Sequence, residues 1–400
     1  MSELAPVAPR ERVVTLDVLR GLALLGVLFG NIFWLYSARR WERVPEPARV
    51  DVIARWFVAL FVQSKAQTLL TFLFGFGFAA QLLRAQERKT PVTGLYVRRL
   101  LALWALGALH VMLFWGDVTW TYAVAGFGLL LFQRTSNRTR LVWALLLTFI
   151  PPAIGALPAV RSATAGLIGS AENLKQATEA FLAALHGNHF WPVVRAHLRF
   201  TFIFQAPIFA WYYPWLLGHF LLGYFAGTQR WFDEEGARHL TLFRKLLGYG
   251  LLAALPGAAL TIAHLLQVFK GRELSVTTEL GMGLIEEISL LGLSGAYLAL
   301  VVLLMQRPPW RRLLRVFAPV GRMPLTAYVA QSVICTALFY GWGLGWAGKV
   351  RGAGTLAIAI VVFTVEIIAC HLWLRRFRFG PLEWVWRTLS YLRPPSMRAA

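Results

Sequence analysis

Residues 96–122 read YVRRLLALWALGALHVMLFWGDVTWTY, and this stretch decides how the rest of the chain is interpreted. Two arginines, Arg98 and Arg99, precede an apolar run that is long enough to cross a bilayer. The run contains His110 and ends at Gly116-Asp117. An ionisable side chain inside a membrane is costly unless it has a partner, so it marks a functional site by default. The stretch therefore predicts a membrane helix that carries functional polar groups.

The composition predicts an all-α, polytopic membrane helix bundle. A chain of 400 residues with 58% hydrophobic and 15% charged residues cannot bury its apolar surface in one water-soluble core. The formal net charge is +21, but the basic residues stand between apolar stretches. This placement favours anionic membrane lipids as partners and does not predict nucleic-acid binding.

About ten stretches are candidates for transmembrane helices, with roughly 20 residues per span as the yardstick. Lysine and arginine are more frequent in the segments that lie inside if the N-terminus is cytoplasmic, so we expect both termini in the cytoplasm. The candidate spans lie near residues 14–36, 67–83, 100–115, 119–132, 141–157, 207–227, 247–266, 282–305, 325–346 and 356–374.

We expect residues 1–400 to form a single membrane domain with two polar additions. Residues 160–205, between the fifth and sixth spans, are predicted to be an extracytoplasmic amphipathic insertion. Its helix should begin near Ser170 and end at His186-Gly187, with the apolar face on the outer membrane surface. Residues 375–400 are basic and rich in tryptophan, which is typical of a tail at the cytoplasmic interface.

The first two spans contain polar residues with two interpretations each. Asp17 and Arg20 are three residues apart, so they form either a local ion pair or a ligand site. Asn31 lies four turns further along the same face and serves either helix packing or catalysis. Lys65 either reaches the lipid headgroups or binds an anionic substrate. The glycines of residues 74–78, FGFGF, favour close helix packing over cofactor contact.

His110 and Asp117 are seven residues apart, which places them on one face if the helix continues. A carboxylate can hold an imidazole in one tautomer and leave its other nitrogen free as a base. Because two turns are too far for direct contact on a straight helix, a bend at Gly116, a water molecule or another helix must close the gap. A purely structural role for His110 stays open.

The later spans add further polar groups. Arg322 stands before the ninth span, and Gln331 and Ser332 make that span more polar than lipid contact requires. Glu286-Glu287 and Glu366 either face a cavity or are structural partners of arginines and lysines near the outer surface. Because adjacent carboxylates point to different helix faces, only one of Glu286 and Glu287 can face a given cavity. The chain has neither an H-E-x-x-H motif nor clustered cysteines and histidines, so no metal site is predicted.

Five segments together resemble the YeiB-like family of bacterial membrane proteins, whose C-terminal part is a domain of unknown function. They are 16–21 (LDVLRG), 64–78, 110–117, 321–332 and 379–384 (FGPLEW). The resemblance covers nearly the whole chain and implies a multi-pass protein of the bacterial plasma (inner) membrane. The family has no well-established activity, so the resemblance bears on topology more than on chemistry.

A more distant resemblance concerns the reaction. The Asp17-x-x-Arg20-Gly21 pattern is similar to the first span of transmembrane acyltransferases, such as the heparan-α-glucosaminide N-acetyltransferases and the bacterial surface-polysaccharide O-acyltransferases. Those enzymes move an acyl group from a cytoplasmic thioester to an acceptor on the other side. In the O-acyltransferase pattern a histidine stands at the position of Asn31. The resemblance implies acyl-CoA or a similar thioester as donor.

Two functions follow as hypotheses. The first is a membrane acyltransferase with a polar, extracytoplasmic or lipid-linked acceptor, in which His110 is the base, Asp117 orients it and Asn31 helps to place an oxyanion or the acceptor. The second is a non-enzymatic transporter or lipid-binding protein that uses the same polar pocket. The sequence leaves the oligomeric state open. The substrate-contacting residues are predicted to be Asp17, Arg20, Lys65, Arg322, Gln331 and Ser332.

Overall fold

The computed structural model describes residues 12–42, 44, 48–89, 93–155, 157, 160, 163, 171–205, 209–272 and 274–398. These residues form helices and no strand, apart from one isolated bridge between Phe377 and Arg398. The sixteen α-helices that we label are α1 (Val14–Gly30), α2 (Arg49–Phe57), α3 (Lys65–Glu87), α4 (Thr93–Val111), α5 (Thr119–Gly128), α6 (Asn137–Gly155), α7 (Ala171–His186), α8 (Phe190–Gln205), α9 (Phe209–Thr228), α10 (Leu240–Leu265), α11 (Val276–Met305), α12 (Pro308–Leu314), α13 (Ala318–Arg322), α14 (Pro324–Phe339), α15 (Gly352–Leu374) and α16 (Pro381–Tyr391).

Within the part of the chain that the structure describes, five helical segments are long and apolar enough to cross a membrane. Each predicted span has a helix at its position, but several of these helices are short, so the number ten stays a prediction. Helix α2 lies outside the predicted spans. The five long segments are Val14–Tyr36, Arg49–Glu87, Asp233–Leu265, Val276–Met305 and Gly352–Leu374.

Glycines let the central helices touch backbone to backbone. A Cβ added to Gly75 of α3 would lie 1.8 Å from the carbonyl oxygen of Phe220 on α9, whereas one added to Gly77 would meet nothing within 4 Å. The expected packing role of the FGFGF segment therefore holds for Gly75. A Cβ on Gly321 would lie 1.8 Å from the Asp17 carbonyl oxygen, so α13 lies directly against α1.

The α7–α8 hairpin covers one end of the bundle. Helix α7 begins and ends as predicted, but Phe181 and Leu185 are buried in the main core cluster rather than facing outward. Trp41 packs edge-on against Phe181 and Phe200, with ring centroids 5.2 and 5.5 Å away. The apolar face of α7 thus covers protein, not the membrane surface that was expected for it.

The C-terminal helix α16 joins two helices that are distant in sequence. Glu383 accepts hydrogen bonds from the backbone amides of Leu325, at 2.6 Å, and Thr326, at 3.1 Å, at the first turn of α14. Trp386 Nε1 donates to the Arg99 carbonyl oxygen of α4 at 2.8 Å. The otherwise unpaired amides of a buried helix start therefore receive a carboxylate as their cap.

Candidate active site

His110 and Asp117 are in direct contact. Helix α4 ends at Val111, and the chain turns back so that His110 Nδ1 lies 2.7 Å from Asp117 Oδ1. The two residues do not share one continuous helix, because the amides of Leu113 and Phe114 both bond to the His110 carbonyl oxygen in a turn. The carboxylate accepts a hydrogen bond from Nδ1–H, which leaves the lone pair of a neutral imidazole on Nε2. Nε2 is buried without a hydrogen-bond partner among the described residues.

Asp117 is held in place by the start of α5. Its carboxylate accepts hydrogen bonds from the Thr119 hydroxyl, at 2.8 Å to Oδ2, and from the Trp120 backbone amide at 3.1 Å. Helix α8 fastens the turn from outside: His197 Nδ1 lies 3.2 Å from the Met112 carbonyl oxygen, and Thr201 donates to the Trp115 carbonyl oxygen at 3.1 Å. The turn therefore fixes both the tautomer and the direction of the imidazole.

A cavity of about 250 Å³ lies next to this turn. Asn31 lines it, and no hydrogen bond joins its side chain to the described residues. At Asn31 helix α1 passes into a π-helical segment, Asn31–Tyr36, and a second π-helical segment, Val58–Val62, borders the same cavity. Short π-helical segments are frequent at functional sites. The lining residues are Gly26, Val27, Gly30, Asn31, Trp34, Leu35, Arg40, Val62, Gln63, Ser64, Ala66, Gln67, Leu70, Gly116, Val118, Tyr122 and Tyr328.

Tyr328 of α14 separates His110 from the cavity. Its ring packs edge-on against the imidazole, with 5.0 Å between ring centroids, and its hydroxyl accepts a hydrogen bond from the Val118 amide. Gly116 and Val118, on either side of Asp117, line the cavity, while Asp117 itself is buried behind them. Tyr328 therefore contacts His110 and lines the same cavity as Asn31.

Asp17, Arg20 and Arg322 gather at a different end of the bundle. The Asp17 carboxylate forms ion pairs with Arg12 Nε, at 2.7 Å, and with Arg20 Nη1, at 3.0 Å. It also interacts electrostatically with Arg322. The ion pair that was one interpretation of Asp17 and Arg20 is thus formed. Along α1, Arg20 lies about 16 Å from Asn31 at 1.5 Å per residue.

The other candidate residues lie on separate contacts. Lys65 Nζ donates to the Ala59 carbonyl oxygen at 3.1 Å and does not line the cavity, although its neighbours Ser64 and Ala66 do. The Gln331 amide donates a hydrogen bond to the Glu366 carboxylate at 2.8 Å. The Ser332 hydroxyl oxygen accepts one from the Tyr36 hydroxyl, also at 2.8 Å. These two side chains are buried and connect α14 to α15 and to the π-helical segment that follows α1.

The sequence reasoning missed a buried pair on α9 and α11. His219 Nε2 lies 3.3 Å from Glu287 Oε1, and Trp215 Nε1 donates to Glu287 Oε2 at 3.0 Å. One interpretation of Glu287 was a structural partner of an arginine or lysine near the outer surface. Its partners are instead His219 and Trp215, because its helix face points at α9. A histidine in the sixth predicted span was the available signal. The contact of Tyr328 with His110 was likewise not predicted, because the sequence shows Tyr328 only as one residue of a polar helix.

Within the described residues, no group of three or more His, Cys, Asp or Glu side chains could hold a metal ion.

The relatives found by comparison with known proteins are described without an activity. A family described as "Protein of unknown function (DUF418)" matches residues 226–393. "Uncharacterized protein YxaH" of Bacillus subtilis is 32% identical over 98% of this chain and 97% of its own length. "Uncharacterized protein YeiB" of Escherichia coli is 30% identical over 95% of this chain and 96% of its own length. No solved structure matches the chain significantly.

Proposed function

The chain belongs to the same family as YxaH and YeiB, and from this premise we propose that it is a membrane acyltransferase. It takes an acyl group from a thioester donor in the cytoplasm and passes it to a hydroxyl or amine of an extracytoplasmic or lipid-linked acceptor. We place the protein in the bacterial plasma membrane with both termini in the cytoplasm. Residue 12 and α16 lie at the same end of the bundle, since Arg12 and Arg387 interact electrostatically.

The observation that carries the proposal is the pair of His110 and Asp117 beside the cavity. A histidine that donates Nδ1–H to a carboxylate and keeps Nε2 unpartnered has the arrangement of an oriented general base. The contact at 2.7 Å is shielded from water, since the side chains are only 2% and 0% exposed. A merely structural histidine would use both ring nitrogens, as His197 does with Met112 and Tyr340.

The proposed reaction uses this geometry as follows. The acceptor hydroxyl enters the cavity and loses its proton to His110 Nε2 as its oxygen attacks the thioester carbonyl carbon. The side-chain amide of Asn31 donates to the oxyanion that develops. The carbon–sulfur bond then breaks, and the imidazolium returns the proton to the leaving thiolate. The Tyr328 side chain must move for the acceptor to reach Nε2.

The test uses inverted membrane vesicles that contain the full chain, with radiolabelled acetyl-coenzyme A outside. We expect label in the lipid or glycan fraction and release of free thiol with wild-type protein. His110→Asn keeps a donor for Asp117 but removes the base, so transfer should fall by about 10²-fold or more. His371→Ala on α15 is the matched control, because His371 is exposed on its helix and far in sequence from the site. Full transfer by His110→Asn would remove His110 from the mechanism.

A lipid-binding function is the second candidate, and the cavity wall favours it. Val27, Leu35, Val62 and Leu70 give the cavity an apolar side that could hold part of an acyl chain without any reaction. In that case no thiol is released, and Asn31→Leu weakens retention of lipid during purification while His110→Asn does not. Mass spectrometry of lipids carried by the purified variants separates this function from acyl transfer.

A further inference from the structure

Five arginines from five different segments gather where α1, α4, α13 and α16 meet. Two of them, Arg12 and Arg20, share Asp17. Arg322 interacts electrostatically with Arg12 and Asp17. The remaining two are Arg99 of α4 and Arg387 of α16, which interact with each other, and Arg387 also interacts with Arg12. We call these residues the arginine cluster.

The carboxylates of the cluster do not neutralise it. Asp17 is already bonded to two of the arginines. The second carboxylate, Glu383, uses its oxygens on Leu325 and Thr326 at the start of α14. More positive than negative charge is therefore gathered in a region that is partly shielded from water, and like charges in such a region repel strongly.

One donor group on each of two arginines, the Nε–H, has no hydrogen-bond partner among the described residues. The Nε atoms of Arg322 and Arg387 are buried and make no hydrogen bond among the described residues. Burial and Arg99 lower the pKa of Arg387, and burial and Arg12 lower the pKa of Arg322, although Asp17 opposes the second shift. Both guanidiniums are thus held where their charge is disfavoured, and an anion would relieve this.

Aromatic rings set the orientation of the Arg99 and Arg387 guanidiniums. Arg99 lies over the Trp386 ring at 4.2 Å from its centroid, and Arg387 lies over the Phe379 ring at 4.5 Å. A guanidinium stacked on a ring directs the N–H groups at its edge toward a planar, bidentate contact. One N–H group of Arg99 already bonds to the Tyr391 side chain. Phosphate oxygens match that geometry, and several such forks suit a compound with more than one phosphate charge.

We infer that the arginine cluster is a binding site for a phosphate-bearing compound, formed jointly by the start of the chain, α4, α13 and the C-terminal helix α16. The phosphate chemistry is shared by a soluble pyrophosphate ester and by an anionic lipid headgroup. The identification of this compound with the acyl donor rests on the proposed function, whereas phosphate binding itself does not.

The experiment uses the purified full chain in a neutral detergent and measures binding of radiolabelled inorganic pyrophosphate by equilibrium dialysis. Wild-type protein should bind it, and added salt should weaken binding. Arg322→Gln and Arg387→Gln should each weaken binding roughly tenfold, because each removes charge-assisted hydrogen bonds. Arg312→Gln is the matched control, since Arg312 is an exposed arginine on the neighbouring helix α12.

A second arm separates the two sources of phosphate. The same variants are placed in nanodiscs of phosphatidylcholine with or without phosphatidylglycerol, and their thermal unfolding is measured. A rise in Tm that needs phosphatidylglycerol, Arg322 and Arg387, without pyrophosphate binding, assigns the site to a lipid headgroup. Arg322→Lys and Arg387→Lys keep the positive charge but lose the bidentate guanidinium. Their affinity for pyrophosphate should therefore lie between that of wild type and that of the glutamine variants.

The inference is overturned if neither pyrophosphate nor phosphatidylglycerol acts on the wild-type protein, or if Arg312→Gln weakens binding as much as the cluster variants do. Loss of acyl transfer in His110→Asn with intact pyrophosphate binding would support both proposals. Pyrophosphate binding without any transfer activity would refute the proposed function alone.

Discussion

The imidazole of His110 and the phenol ring of Tyr328 pack edge-on at 5.0 Å, and only the tyrosine lines the cavity. The base and the space for its substrate are therefore separated by one side chain from another helix. This arrangement keeps the unpartnered Nε2 away from water and makes access to it depend on Tyr328.

Removal of the Tyr328 ring should expose His110. In Tyr328→Ala we expect diethyl pyrocarbonate to modify His110 at least about tenfold faster than in wild type, since the side chain is now only 2% exposed. Mass spectrometry of peptides gives the rate. His186, whose side chain is 39% exposed, is the internal control and should react equally in both proteins. Equal rates for His110 would show that Tyr328 does not screen it.

Asn31 should matter through its amide donor. Asn31→Ala and Asn31→Asp should both lower kcat for acyl transfer about 10²-fold, because the first removes the donor and the second puts a carboxylate beside the oxyanion. The measurement is single-turnover thiol release with saturating acetyl-coenzyme A. If Asn31 only packs helices, Asn31→Asp would lower stability and leave kcat of the folded fraction unchanged.

The two glycines of the FGFGF segment offer a matched pair. Gly75→Ala must push α3 from Phe220, so we expect a loss of about 1–3 kcal/mol in the free energy of unfolding. Gly77→Ala meets nothing within 4 Å and should be neutral or stabilise α3 by up to about 1 kcal/mol. Thermal unfolding in detergent compares them. Equal effects would contradict the close contact of α3 and α9.

Glu383 should stabilise α14. Glu383→Ala leaves the amides of Leu325 and Thr326 without an acceptor, at a cost of about 1–3 kcal/mol. Glu383→Gln keeps a carbonyl oxygen for them and should lose less than half as much. Protection of these two amides in hydrogen exchange reports the cap directly. Unchanged protection in Glu383→Ala would show that the carboxylate is dispensable.

The positions of the helices could be predicted from the sequence because apolar runs of this length allow few other structures. The run from 282 to 305 falls within Val276–Met305, and residues 14–36 match Val14–Tyr36. The short helix α2 was missed, since Arg49–Phe57 is polar at its start and only its π-helical continuation is apolar.

The site could be predicted only in part. A role for His110 and Asp117 could be predicted because ionisable residues are rare in an apolar run. Their direct contact could not be predicted, because it depends on a turn whose backbone hydrogen bonds leave no periodic pattern in the sequence. The pairing of His219 with Glu287 depends on how α9 packs against its neighbours. Such contacts between helices follow from tertiary packing, which a pattern along one helix does not encode.

The hydrogen bonds by which Glu383 caps the start of α14 have a consequence for co-translational folding. Glu383 follows Leu325 by 58 residues, so the amides at the start of α14 have no carboxylate acceptor while the ribosome is still translating α15 and α16. The hydrogen bonds that join α16 to α4 and α14 form only after α16 has been translated. Premature termination before residue 381 should therefore yield an inserted but unfinished protein that quality-control proteases can recognise.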